Sequence, residues 1–180
     1  MASFLELKNI SKAFGGVHAL REVDFAVEAG EVHCLVGENG SGKSTLIKII
    51  SGVQPPERGG QILIEGSAYE KLTPTDSTRL GIQVIYQDLS LFPNLSVAGN
   101  IFAGRELTAA GGRLREAEMD ARTVAILEEL HLRVAPGAAA ESLPAAQRQL
   151  LQVARALAFD CSILVLDEPT TALTDAEADH

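Results

Sequence analysis

The sequence predicts an α/β fold with a mainly parallel sheet, an antiparallel β annex at the amino terminus and an inserted helical subdomain. Three observations predict it. Short, nearly unbroken apolar runs, Val32–Val36 and Ile163–Leu166, stand beside stretches of helical periodicity, as in parallel sheets covered on both faces. A glycine-rich stretch lies between the first of these runs and a helix. The amino-terminal residues instead alternate apolar and polar, which suits strands exposed on one side.

Each element follows from a local signal. Phe4, Leu5, Leu7 and Ile10 read as a first strand; Gly15-Gly16 interrupt it, and Val23, Phe25 and Val27 resume the alternation as a hairpin or meander. Val32 to Gly37 reads as a strand buried on both faces, with Cys34 as a small hydrophobe inside it. Lys43 to Ile50 reads as a helix, stopped at Gly52, with Pro55-Pro56 beyond. Ile62-Leu63-Ile64 and Ile82 to Tyr86 are further strand candidates. Residues 105–115 form a loop around Gly111-Gly112. Glu116 to Leu132 is the clearest amphipathic helix, with Met119, Thr123, Ile126, Leu127 and Leu130 at helical spacing. Val134 to Ala146 is rich in Ala, Pro and Gly and reads as irregular. Gln147 to Phe159 is helical and feeds the strand Ile163–Leu166, which ends on Asp167-Glu168-Pro169.

Composition bounds the function. The 180 residues are 46% hydrophobic and 22% charged, the balance of one packed domain rather than a disordered chain. Asp and Glu number 24 against 15 Lys and Arg, and the net charge of −9 argues against a nucleic-acid partner. No Trp, 2 Tyr and 6 Phe leave little material for a base-stacking strand surface. Cys34 and Cys161 stand alone and suit a reducing compartment; His18, His33 and His131 show no ligand spacing. Arg113 to Arg122, with Glu116, Glu118 and Asp120, reads as a solvated helix face. The start lacks the basic and apolar regions of a signal peptide, and no run approaches the ~20 apolar residues of a membrane helix. Work at a membrane would therefore require docking on a partner.

The residues that carry chemistry are concentrated in two places. Gly37-Glu38-Asn39-Gly40-Ser41-Gly42-Lys43-Ser44-Thr45 is a GxxxxGK[ST] loop in strand–loop–helix context. Its glycines let consecutive backbone N–H groups turn inward around an oligophosphate at a helix amino terminus. Lys43 would reach the β- and γ-phosphates of a nucleoside triphosphate, and Ser44 would place its hydroxyl on Mg²⁺. This is a P-loop NTPase core. The second place is Leu166-Asp167-Glu168, at the exit of an apolar strand. There Asp167 would hold Mg²⁺, and Glu168 would orient and deprotonate an attacking water.

Glu31–Gly40, Tyr86–Val97, Asn100-Ile101-Phe102 and Leu166–Thr174 closely resemble the ATP-binding cassette proteins, and among them the ATPases of bacterial ribose-, xylose- and galactose-type importers. The resemblance covers essentially the whole chain, Leu5 to Asp175. It implies that Phe14 stacks on adenine and that Gln87 touches Mg²⁺ or water while joining the core to the helical subdomain. It implies a division of one cassette into a nucleotide-binding core with β annex, 1–87 and 144–180, and a helical subdomain, 88–143, which a membrane permease grips. Ala172–Asp175 matches the loop that communicates across a cassette dimer. ATP and Mg²⁺ are the implied cofactors. The implied partners are a second cassette on the same longer polypeptide, permease subunits and, indirectly, an external sugar-binding protein, at the cytoplasmic face of the plasma membrane.

Two departures stand out. The signature Leu-Ser-x-Gly-Gln of the sugar ATPases is matched by Leu143-Pro144-Ala145-Ala146-Gln147, which loses the serine hydroxyl and the glycine; Ser142 is expected to cap the helix that follows. The histidine that contacts the γ-phosphate in the family falls beyond Asp175, and His180 stands too early to match it. The chain is thus expected to be a partial cassette that binds nucleotide and hydrolyses little alone. The expected function is ATP hydrolysis that energises sugar import. A regulatory cassette with weak turnover, a soluble cassette of DNA maintenance or translation, and a small-molecule P-loop kinase are the alternatives.

Overall fold

The computed structural model describes residues 3–86 and 91–167. Gln87, Glu168, the loop Ala172–Asp175 and His180 therefore lie outside the described residues. The chain divides into two compact units, Met1–Gln83 and Val84–His180.

In the first unit, strands β1 (Leu5–Phe14) and β2 (Val17–Val27) form an antiparallel hairpin turning at Gly15-Gly16. Helix α1 (Lys43–Ile50) follows, then strands β3 (Gln61–Ile64) and β4 (Ser67–Tyr69) and helix α2 (Pro74–Arg79). The sheet is antiparallel, in the order β2-β1-β3-β4. Leu5 lies opposite Val27 on one side and Ile64 on the other. Leu5, Leu7, Ile10, Ile62 and Ile64 are buried, as are Leu46, Ile47, Ile49 and Ile50 of α1. The step from Leu7 to Ile10 breaks strict alternation because the register with β2 shifts there. Asn9 takes the extra residue at φ 52°, and its N–H donates to Asp24 Oδ1 at 2.7 Å. This bulge returns Ile10 to the core face.

Helix α1 ends where the sequence places its stop. Gly52 has φ 74°, and a Cβ there would lie 2.4 Å from the Thr73 carbonyl, so both conformation and space demand glycine. Helix α2 is short and polar, with no apolar period to announce it. Its start is set by a capping box: Thr73 accepts from the Asp76 N–H at 3.1 Å, and Asp76 Oδ2 accepts from the Thr73 N–H at 3.1 Å. Ser77 Oγ donates to Ile50 O at 2.9 Å and ties α2 to the end of α1.

Strand β5 (Ile82–Ile85), which runs across the chain boundary of the two units at Gln83, and β6 (Ile163–Leu166) of the second unit form a separate parallel pair, continued by the Asp167 N–H donating to Ile85 O at 2.9 Å. Helices α3 (Val97–Ile101), α4 (Glu116–Glu129) and α5 (Ala145–Leu157) enclose a core of Val97, Ile101, Phe102, Met119, Leu127, Leu132, Leu143, Leu151 and Ala154. Met119, Thr123 and Leu127 are the buried residues of α4, as the helical spacing requires. Arg115 and Arg122 both pair with Glu118 on the solvated face, at 2.6 and 2.9 Å. Ser96 caps α3 by accepting from the Gly99 N–H at 3.0 Å.

Asn100 is fully buried, and its side chain is bonded at both ends. Its Oδ1 accepts from the Phe92 N–H at 2.7 Å, and its Nδ2 donates to the carbonyls of Phe92, Ser96 and Leu95 at 2.9, 3.0 and 3.3 Å. The segment 136–140 adds backbone bonds to the same region, including Val97 N to Ala138 O at 2.9 Å. A stretch that reads as irregular is thereby held in one conformation.

Three expectations are corrected. Residues 32–37 do not form a strand: the segment is irregular, with Val32 93% and Val36 90% exposed, and Cys34 is exposed with it. A strand buried on both faces depends on ladder partners and covering helices. Among the described residues no strand pairs with 32–37. Ser142 does not cap α5, because its Oγ donates to Ala139 O at 2.7 Å. Pro144 occupies the cap position instead, at φ −55° and ψ 158°, and its carbonyl accepts from the Arg148 N–H at 3.0 Å.

Candidate nucleotide-binding site

The site is built by the segment that leads into α1. Its entry is pinned to the end of β2: Glu31 Oε2 accepts from the Glu28 N–H at 2.8 Å, Glu31 Oε1 pairs with His33 Nδ1 at 3.0 Å, and the His33 ring meets Phe25 edge-on at 4.9 Å. The Glu28 amide, with the His33 ring second, holds the Glu31 carboxyl below its ordinary range. From there the chain runs exposed to a turn in which the Ser41 N–H donates to Glu38 O at 3.1 Å.

Gly42 is the residue on which the loop depends. It is the N-cap of α1 at φ 95°, and a Cβ there would stand 2.4 Å from the Ala19 carbonyl and 2.8 Å from Leu20 Cδ2. Any other residue would be strained and would push the head of α1 away from β2. Helix α1 has no side-chain cap and no acidic residue in its first turn, so its leading amides and the positive end of its dipole are left for an anion.

Lys43 turns back over this loop. Its Nζ donates to Gly37 O at 2.6 Å and to Glu38 O at 3.0 Å. A flexible ammonium held at the loop's centre by neutral carbonyls is poised to exchange them for the stronger, charged acceptors of an oligophosphate. Gly37, Asn39, Gly40, Ser41, Gly42, Lys43, Ser44 and Thr45 form one continuous loop and helix head, and Ser44 is exposed.

Phe14 lies in the same unit, at the end of β1 beside the Gly15-Gly16 turn, and is 45% exposed. An aromatic ring left this open at a strand end offers a face to a ligand. Lys12 Nζ stands 5.7 Å from the ring centroid. Lys12 was not picked out by motif, although its spacing of two from Phe14 along a strand carries the signal. Asp167 belongs to the second unit, half-buried at the exit of β6 with its N–H fixed on Ile85 O. Among the described residues no cluster of three or more His, Cys, Asp or Glu forms a preassembled metal cage. Within the first unit Ser44 is exposed at the helix head, and within the second Asp167 is half-buried at the strand exit; both side chains carry hard oxygen donors.

Comparison with known proteins identifies the lineage. The family profile described as ABC transporter matches residues 20–171. The chain is 45% identical over 180 residues to the ribose import ATP-binding protein RbsA of Hahella chejuensis, covering 100% of this chain and 36% of that protein. It is 48% identical over 176 residues to the xylose import ATP-binding protein XylG of Moorella thermoacetica, covering 97% of this chain and 35% of that protein. The chain thus spans about a third of the length of the curated relatives it matches. Among solved structures, MJ1267, an ATP-binding cassette of an ABC transporter, superposes with a TM-score of 0.85 at 28% identity, over 99% of this chain and 74% of that one. The ADP conformation of the same cassette gives 0.84, again at 28% identity over 99% and 74%. The motif, the loop geometry around Lys43 and the profile match agree, and the chain belongs to the ABC transporter family.

Proposed function

We propose that this chain is the ATP-binding and ATP-hydrolysing cassette of a sugar importer. The observation that carries the proposal is the loop of Gly37 to Thr45, folded over the Lys43 ammonium at the uncapped head of α1. The relatives named for ribose and xylose import support the sugar. In this reading Phe14 stacks on the adenine. The loop amides wrap the phosphates, and Lys43 holds the β- and γ-phosphates, where negative charge accumulates as the γ-phosphoryl leaves. Ser44, Asp167 and Gln87 would hold Mg²⁺, which neutralises charge on the phosphate oxygens when bound. Glu168 orients the attacking water and takes its proton.

Residues 1–87 and 144–180 act as the nucleotide-binding core, and 88–143 as the helical subdomain against which a membrane permease docks. A second cassette, on the longer polypeptide, completes the site across a dimer, and an external sugar-binding protein delivers the cargo. The cassette would work at the cytoplasmic face of the membrane, held there by its partners. Among the described residues no helix is long and apolar enough to cross a bilayer.

The test is ATP turnover by the complete protein with its permease in vesicles, comparing Glu168→Gln with the unmodified protein. Turnover should fall steeply in the variant; equal phosphate release would overturn the assignment of Glu168. Residues 1–180 alone should bind nucleotide and hydrolyse it negligibly.

A second reading, a regulatory cassette with weak turnover, is favoured by the start of α5. Pro144 stands at its cap with no side-chain hydrogen bond, where a serine would present a hydroxyl to the partner's nucleotide, and Ala146 adds a Cβ. Loss of one such donor costs ~10²–10³ in rate. Pro144→Ser combined with Ala146→Gly should raise turnover in the assembled transporter. No increase would leave the altered motif without kinetic consequence and sink the regulatory reading.

A further inference from the structure

The loop between α1 and β3 is fastened to the far end of β1. Lys12 Nζ donates to Pro55 O at 2.8 Å, and the Glu57 N–H donates to Ser11 O at 2.9 Å. Glu57 Oε1 accepts from the Ala13 N–H at 2.8 Å, and Asn9 Nδ2 donates to Gly59 O at 3.4 Å. The register between β1 and β2 shifts between Lys12 and Ala13, so the Ala13 amide is turned toward the Glu57 carboxylate. The next residue is Phe14. Glu57 is exposed and contributes nothing to the core, so its two bonds to β1 have their main effect on the strand end itself.

We propose that Glu57, with Lys12, is a positioning residue for the base: the 55–60 loop orients the Phe14 ring before a purine nucleotide arrives. The inference rests on the reading of Phe14 as the adenine-stacking residue. An exposed phenylalanine beside a glycine turn would otherwise exchange rotamers and be ordered only on binding, at an entropic cost. The rotamers open to a side chain depend on its backbone torsions, and the Ala13–Glu57 bond holds the backbone from which Phe14 projects. Lys12 is itself anchored on Pro55 and sets its ammonium over the ring, which leaves the opposite face for a stacked base. Because this loop begins at the end of α1, whose head carries Lys43, one short connection joins the base platform to the phosphate helix. A bare polyphosphate makes no use of the platform.

The experiment measures binding of ATP and of inorganic tripolyphosphate to the full chain by calorimetry. Glu57→Ala should weaken ATP about three- to tenfold, part of the worth of a charge-assisted hydrogen bond, and leave tripolyphosphate unchanged. Glu57→Gln keeps an acceptor for the Ala13 amide and should restore ATP binding. Equal loss of both probes, or no loss of ATP, would refute the positioning role. Should Glu57→Ala not fold, Lys12→Met carries the test, with ATP weakened about two- to fivefold and tripolyphosphate again unchanged. Phe14→Ala separates the two levels. If it leaves ATP affinity intact, the stacking reading fails and this inference with it; if it weakens ATP while Glu57→Ala does not, only this inference fails.

Discussion

The segment 31–42 and the helical part of the second unit hold their shapes by opposite means. The first is exposed along most of its length, and its geometry comes from a carboxylate on a backbone amide, glycines at positive φ and the Lys43 ammonium on its own carbonyls. In the second, Val97, Asn100, Ile101 and Leu151 are fully buried, and the helices are fixed by packing and by the Asn100 bonds. Little apolar burial means a low local cost of rearrangement, which is what a loop needs if it is to close around a ligand. Dense burial makes a rigid body, suited to transmitting motion rather than undergoing chemistry.

If the contrast is real, changes in the two regions should be read by different instruments. Phe102→Ala, which removes a buried ring packed edge-on against Phe159 at 5.8 Å, should cost about 3–5 kcal/mol in denaturant unfolding. Tripolyphosphate binding well below the transition should stay unchanged; a parallel loss of binding would show that the two regions are not separately held. Asn100→Ala should cost roughly 2–3 kcal/mol, because the Phe92 amide and the carbonyls it serves lose their partner in a buried place. Gly42→Ala inverts the pattern. Strain at positive φ should cost about 1–3 kcal/mol of stability, while displacement of the loop head should abolish detectable tripolyphosphate binding. Binding that survives this change would detach the loop from its packing against β2.

The smallest effect is at α2. Thr73→Ala removes a capping hydroxyl and should cost about 1 kcal/mol in thermal unfolding. The same box has a pH signature. The Thr73 hydroxyl first, then its amide, then Arg79 hold the Asp76 carboxyl below its ordinary value. With the folded value depressed, the stabilisation is complete above the unfolded value and is lost as pH falls through the folded one. Unmodified protein and Asp76→Asn should therefore differ near neutrality and converge in acid, which a pair of melting curves against pH would check.

Much of the site was legible without coordinates. The bounds of α1 and of β6 coincide with those read from periodicity, and the phosphate loop is recognisable from residue types alone. Helices α2 and α3 escaped because they are too short for an apolar period; their signals were caps, Thr73 with Asp76 and Ser96. Asn100 stands out in the sequence only as part of a stretch of family resemblance; its structural role under the 92–96 turn comes from four hydrogen bonds that no sequence pattern announces. Glu57 sits 44 residues from the amide it serves, a distance no local pattern reports.

By itself the sequence determined the α/β class, the phosphate loop, the helix behind it and the amphipathic face of α4. Each of these depends on a few neighbouring residues: glycine where the backbone must turn, apolar side chains at the period of a helix, a cap at its end. The tertiary structure alone decided that residues 32–37 lie open, that β1 bulges at Asn9, that Pro144 rather than Ser142 stands at the cap of α5, and that the loop after α1 is fastened to the far end of β1. Those outcomes rest on ladder partners and hydrogen bonds between residues far apart in the chain, and an apolar run becomes a buried strand only when something distant arrives to pair with it.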